Sequence, residues 1–171
     1  MQYESYLLTM AQIAGVLVGF ASLANAISRP GMAARELQLN KLRILVTTEN
    51  GIFIIIFCML PVLLARRMDE NELFRWLSLL AFAANGTNLF YIMHRNRRFT
   101  GAYFPVTATR VIFINTVLFT TIPFGLNAVG AFGVENSAFA YCGVIFYLFC
   151  MVCILFVRLL FSVLPDADKA A

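Results

Sequence analysis

The sequence predicts an all-α protein, a polytopic helical bundle with five transmembrane helices, and three observations lead to this prediction. Hydrophobic residues make up 61% of the 171-residue chain and charged residues only 13%, which leaves too little polar surface for a water-soluble domain. Five stretches each approach the ~20 apolar residues that a helix needs to cross the hydrocarbon core. The charges and helix breakers lie between these stretches, as in the connections of membrane proteins.

The five apolar stretches are the predicted membrane spans. They cover residues 6–27, 44–64, 73–93, 111–131 and 139–160. The connections are short and carry the arginines, prolines and glycines that separate helices. We therefore expect residues 1–171 to form a single transmembrane domain. A second arrangement, four spans with a re-entrant or peripheral first helix, stays open.

The first stretch also has one feature of a cleavable signal peptide, the small residues Ala-Asn-Ala at positions 24–26. Two observations argue against cleavage. Residues 1–4 contain no basic side chain, and cleavage would leave the four basic residues of the next connection on the translocated side. We therefore expect a true membrane span.

The distribution of lysine and arginine predicts the orientation of the bundle. With five spans, ten of the 13 basic residues fall on one side, and the other side has only Arg66, Arg67 and Arg75. Cytoplasmic connections are enriched in these residues. The N-terminus is therefore predicted outside and the C-terminus in the cytoplasm, most simply in a bacterial inner membrane. The net charge of +4 reflects this asymmetry, so no nucleic-acid partner is expected.

Glu49 is the one carboxylate predicted to lie inside a span, just before a run of isoleucines. An ionisable side chain at such depth is costly and usually functional. With a helical rise of 1.5 Å per residue, Asn25, Asn88 and Asn115 come to the same depth as Glu49, about 6 to 9 Å below the cytoplasmic interface. Thr48 joins them, and together they are a candidate pore or ion-binding layer.

Several roles for this layer remain open. Glu49 has three candidate roles: it pairs with Arg158 or Arg43, it stays neutral, or it lines a water-filled route for cations or protons. A helix that begins later would leave Glu49 in water. For the amides, hydrogen bonding between helices is the simpler explanation.

The first span carries small residues at intervals of three and four. Small side chains at this spacing let helix backbones approach closely in lipid, either within a protomer or between protomers. Glu4 lies at the outer end of this strip and Gln12 on an adjoining face, so a ring of first helices would enclose a pore with an acidic mouth. The strip consists of Ala11, Gly15, Gly19, Ser22 and Ala26.

Two prolines and one polar connection predict departures from straight, span-length helices. Pro61 and Pro123 lie within the second and fourth spans, where a missing amide hydrogen bond bends a helix. Residues 33–42 are good helix formers that would extend the second span into the cytoplasm.

The motifs of catalysis are missing from the sequence, which has one histidine and neither a zinc-protease, a nucleophile-elbow nor a phosphate-loop pattern. We expect no enzyme activity, no cofactor and no metal. The predicted function is a homo-oligomeric ion channel or permeation pathway. The alternative is a non-conducting anchor or scaffold subunit that recruits a cytoplasmic partner through its basic loops. Three arginines are candidate contacts for that partner or for anionic lipid, namely Arg95, Arg97 and Arg98.

Overall fold

The computed structural model describes residues 3–26, 34–65, 67–99, 114–133 and 135–163. These residues are almost entirely helical, and no strand occurs among them, so the predicted all-α class is confirmed. A π-helical segment, Val117–Thr121, immediately precedes the fourth α-helix. The α-helices are α1 (Glu4–Ala26), α2 (Ala34–Leu64), α3 (Glu70–Phe99), α4 (Ile122–Ala128) and α5 (Ser137–Val163).

Three of these helices are long and apolar enough to cross a membrane. Their apolar parts, Glu4–Leu23, Ile44–Leu64 and Ser137–Phe161, match the first, second and fifth predicted spans. The prediction of five spans is confirmed only to this extent. Arg75 and two asparagines lower the hydropathy of the third predicted span, and the start of the fourth predicted span lies outside the described residues.

Two helices extend beyond their apolar segments at the same end of the bundle. Helix α2 begins at Ala34, ahead of the apolar part that starts at Ile44, as the composition of residues 33–42 predicts. Helix α3 continues to Phe99, past the predicted end of its span at residue 93. Because a short connection joins them, α2 and α3 run antiparallel. The start of α2 and the end of α3 therefore lie at the same end.

The helix is irregular where Pro123 was predicted to bend it. The N–H of Ile122 donates to the carbonyl of Val117, five residues earlier, which is the π-helical pattern. Proline has no N–H, and its ring clashes with the carbonyl four residues back in a regular α-helix. The wider π turn relieves that clash immediately before α4 begins.

The core is formed mainly by α1, α2 and α5, with α3 and α4 packed beside them. Fully buried side chains include Leu7 of α1, Ile54 of α2 and Ile145 of α5. Helices α1 and α2 approach each other closely at Gly51. A Cβ at this position would overlap the Val18 side chain and face the Ala14 carbonyl. Only glycine at position 51 therefore allows the two backbones to lie this close.

Candidate functional site

A buried asparagine links α3 to the π-helical segment. The Asn85 Nδ2 atom donates to Thr120 Oγ1 at 2.8 Å and to Thr121 Oγ1 at 3.0 Å. The Thr120 hydroxyl in turn donates to the main-chain carbonyl of Thr116. The two Asn85 bonds are structural hydrogen bonds between helices. An interhelical bond of this kind contributes about 1 kcal/mol or less.

A second buried amide joins three helices, and the sequence analysis missed it. Asn127 of α4 donates from Nδ2 to Ser78 Oγ of α3 at 2.7 Å and to the carbonyl of Ser137, the first residue of α5, at 3.0 Å. All three residues are almost completely buried. Each lies within a few residues of the outer end of its predicted span. The depth comparison that singled out Glu49 would have found this group if applied at the other end.

A third interhelical bond compensates for a proline. The hydroxyl of Tyr141 in α5 donates to the carbonyl of Phe57 in α2 at 2.6 Å. Phe57 lies four residues before Pro61, which has no N–H to offer that carbonyl. No sequence signal could have paired residues 84 positions apart.

Glu49 lies outside the protomer core. Its side chain is half-buried, on the same face of α2 as Ile52 and Ile56, which lie three and seven residues further on and are both about half exposed. Thr47, two residues earlier, is the member of this stretch that points into the core, and it is completely buried. Glu49 therefore faces the outer surface of the α1–α2 pair.

The remaining members of the predicted layer do not meet at one point. Asn88 and Thr48 are half-buried, and Asn115 makes a long contact of 3.9 Å from Nδ2 to the sulfur of Met151. Arg158 is exposed, and no ion pair joins it to Glu49 in the described part of the chain. The side chains of Asn25 and Arg43 lie outside the described residues.

The small-residue strip of α1 divides between the core and the surface. Ala11 is buried, and the helix face that packs on the bundle continues through Leu7, Ala14 and Ala21. Gly15 is exposed at the edge of this face, where a Cβ would lie 3.9 Å from the Ile55 side chain of α2. Ser22 is exposed and its hydroxyl donates to the Val18 carbonyl at 3.0 Å. The Ala26 side chain lies outside the described residues.

The exposed side of α1 is largely apolar, with Ile13, Val16 and Phe20 on the surface, and one strip of polar and small residues runs along it. Gln12 and Gly19 are seven residues apart, hence almost in line along the helix, and both are exposed. In the described parts of the chain, no atom lies within 4 Å of a Cβ built on Gly19. Glu4 is exposed at the start of the helix, about 12 Å from Gln12 along the axis. We name Gln12, Gly15 and Gly19 the outer face of α1.

The outer face of α1 continues onto α2. Gly15 lies against Ile55, and Thr48 is seven residues before Ile55 on the same side of α2. The predicted candidates Gln12, Gly15, Gly19 and Thr48 therefore share one surface of the α1–α2 pair. The structure brings these residues together, whereas it separates Asn88 and Asn115 from them on other helices.

The last candidates to locate are the three arginines at the end of α3 and possible metal ligands. Arg95, Arg97 and Arg98 fall in the last turns of α3, but their side chains lie outside the described residues. Among the residues that the structure does describe, no three His, Cys, Asp or Glu side chains come together to hold a metal ion.

The geometry defines an all-helical chain with three helices fit to cross a bilayer, consistent with a membrane protein. No protein-family model, curated protein or solved structure matches the chain. Inferences about function therefore come from the residues and their arrangement.

Proposed function

We propose that this protein assembles with copies of itself in the membrane and that the outer face of α1 lines a permeation pathway between the copies. The observation that carries the proposal is the exposure of Gln12 within an apolar helix. A polar amide facing lipid at that depth is unfavourable. A neighbouring protomer or a column of water would provide the hydrogen bonds that lipid cannot.

The packing of the protomer supports a pathway between copies instead of through one copy. Its described interior is filled by apolar side chains, and the buried amides Asn85 and Asn127 are hydrogen-bonded to neighbouring helices. On the outer face, Gly15 and Gly19 allow helices or water to approach the backbone closely. Glu4 would form an acidic mouth that attracts cations, and Glu49 would add a second charge on the adjoining face of α2.

The proposal includes five spans, with the N-terminus outside and the C-terminus in the cytoplasm of a bacterial cell. What supports it is the length of α3, whose 30 residues extend about 45 Å, more than the ~30 Å of the hydrocarbon core. Reporter fusions at the two termini test the topology. Reporters that are active on the same side of the membrane would contradict an odd number of spans.

The direct test is ion flux into liposomes that contain the purified protein. Gln12→Leu is expected to lower cation flux about tenfold or more, because an apolar side chain in a narrow pathway excludes water. The matched control is Thr87→Val on α3, which removes an exposed polar group whose hydroxyl bonds only to its own helix, and flux should not change. Wild-type flux no greater than that of empty liposomes would refute the pathway.

A second candidate function is a non-conducting scaffold, and the extensions of α2 and α3 favour it. Both helices project beyond their apolar parts at one end, and both extensions carry basic residues. Such an end fits an acidic cytoplasmic partner. The scaffold would be supported by a partner that co-purifies with the wild type, is lost when Arg95, Arg97 and Arg98 are changed to glutamine, and is accompanied by no flux.

A further inference from the structure

An open apolar groove lies between α5 and the segment formed by the π-helix and α4, away from the outer face of α1. Its volume is 530 Å³, and four aromatic side chains are among the residues that line it. Phe119 and Tyr147 stack at one end with ring centroids 5.2 Å apart. Phe132 and Phe139 lie nearer the other end, where α5 begins. Asn136 at that end is the one amide in the lining.

The direction and length of the groove match one leaflet of a bilayer. From Asn136 to Tyr147 the lining follows α5 for eleven residues, or about 16 Å. Half of the hydrocarbon core measures about 15 Å. Because Asn136 lies just before the apolar part of α5, the groove begins at the membrane interface and ends near the middle of the bilayer.

The groove is continuous with an exposed apolar surface of α5. Phe139 is 70% exposed, and Phe146, two turns along the same side of α5, is 51% exposed. Apolar side chains exposed on a membrane-crossing helix are accessible to acyl chains. The groove is therefore a recess in an exposed apolar surface, and it is open in the part of the chain that the structure describes.

Gly143 keeps the recess open. It lines the groove, and no described residue lies within 4 Å of a Cβ built at this position. Close helix packing, the usual reason for glycine in a membrane helix, therefore does not explain this residue. A side chain here would occupy the groove without clashing with the bundle.

We propose that this groove binds one acyl chain of a membrane glycerophospholipid, with the head group at the Asn136 end and the chain against Gly143 and the Phe119–Tyr147 stack. The bound acyl chain would exchange more slowly than the acyl chains of the surrounding lipid, because the groove contacts it on several sides. Because the surrounding lipid is as apolar as the groove, the chain gains van der Waals contacts with the groove walls and not a transfer out of water. This site is independent of the proposed pathway along α1.

The test uses the full chain in vesicles of phosphatidylethanolamine and phosphatidylglycerol in equal parts, with a trace of phospholipid carrying a photoactivatable group in its acyl chain. After irradiation, peptide mass spectrometry locates the label. We expect labelling of residues 136–147 to exceed that of the exposed surface of α3, and Gly143→Leu to reduce it to the level of that surface. Gly143→Ala, which fills less of the groove, should reduce labelling less.

The matched control is Gly86→Leu on α3, where a Cβ also meets nothing within 4 Å, and labelling of residues 136–147 should not change. Equal labelling of all exposed faces would overturn the proposal, as would labelling that survives Gly143→Leu in a folded protein. A Phe139→Cys variant that crosslinks to a second copy would also overturn it, by showing that protein covers the groove.

Discussion

The hydroxyl of Tyr141 donates a hydrogen bond of 2.6 Å to the main-chain carbonyl of Phe57. In an uninterrupted α-helix that carbonyl accepts the N–H of the residue four positions on, which here is Pro61. The proline frees an acceptor in the middle of α2, and a completely buried tyrosine on α5 satisfies it. The carbonyl that Pro61 leaves free in α2 is thus the point at which α2 and α5 are hydrogen-bonded to each other.

Removing the Tyr141 hydroxyl should destabilise the protein. We expect Tyr141→Phe to lower the free energy of unfolding by about 1–2 kcal/mol, because it leaves the Phe57 carbonyl buried without a donor. Unfolding in mixed micelles with increasing dodecyl sulfate, followed by circular dichroism, measures the change. Tyr91→Phe at an exposed position is the control and should have little effect.

A double-mutant cycle tests the proposed cause. In a Pro61→Ala background the N–H of residue 61 again reaches the Phe57 carbonyl, so Tyr141→Phe should cost less than in the wild type. Equal costs in the two backgrounds would show that the Tyr141 hydroxyl does not act by compensating for the proline.

Gly51 should tolerate no side chain. Gly51→Ala is expected to destabilise the bundle by about 1–3 kcal/mol, because the new methyl group overlaps Val18 across the α1–α2 contact. Adding Val18→Ala should recover part of the loss by making room. Gly86→Ala, at a helical position with open space, should be neutral or slightly stabilising. The same unfolding assay measures all of them, and a neutral Gly51→Ala would contradict the close approach.

The amide of Asn127 should contribute to stability and not to transport. Asn127→Leu removes both hydrogen bonds that join α4 to Ser78 and Ser137. We expect a loss of about 1–3 kcal/mol, since the buried serine groups lose their partner. Flux per folded protein should stay unchanged. A variant that folds normally but has altered ion selectivity would instead place Asn127 on the permeation route.

Self-association through α1 should be detectable by disulfide crosslinking. In a cysteine-free background, Gly19→Cys is expected to form covalent dimers in the membrane, because position 19 is exposed and has open space around it. The control is Ile154→Cys, an exposed position of α5 at similar depth. Dimers that form equally well at both positions would indicate random collision.

Neutralising Glu49 should distinguish a residue that borders the pathway from a residue in a structural ion pair. If Glu49 borders the pathway, Glu49→Gln lowers cation flux about tenfold or more by removing an attractive charge, and folding is preserved. Arg158→Leu should change neither property, since Arg158 is exposed and not paired with Glu49 in the described chain. Normal flux in Glu49→Gln combined with collapse of Arg158→Leu would favour a structural ion pair.

Much of the fold could be predicted because it depends on local properties of the chain. Apolar length predicts the membrane-crossing parts of α1, α2 and α5, and the good helix formers of residues 33–42 predict the extension of α2. Pro123 likewise indicates an irregular turn. The candidate site was harder to predict. Depth along a helix follows from counting residues, but the rotation of the helix about its axis does not.

The sequence by itself determined that this is an all-helical chain with helices suited to a membrane, because hydrophobic length and composition are local properties of the chain. Only the tertiary structure decided which faces meet. Gly51 lies against Ala14 and Val18, which therefore belong to the packing face of α1. Gln12 and Gly19 lie on other sides of the helix and are exposed. Tyr141 reaches Phe57, and Asn127 reaches Ser78, across long stretches of chain. Such pairs depend on the register and rotation of packed helices, which no local pattern encodes.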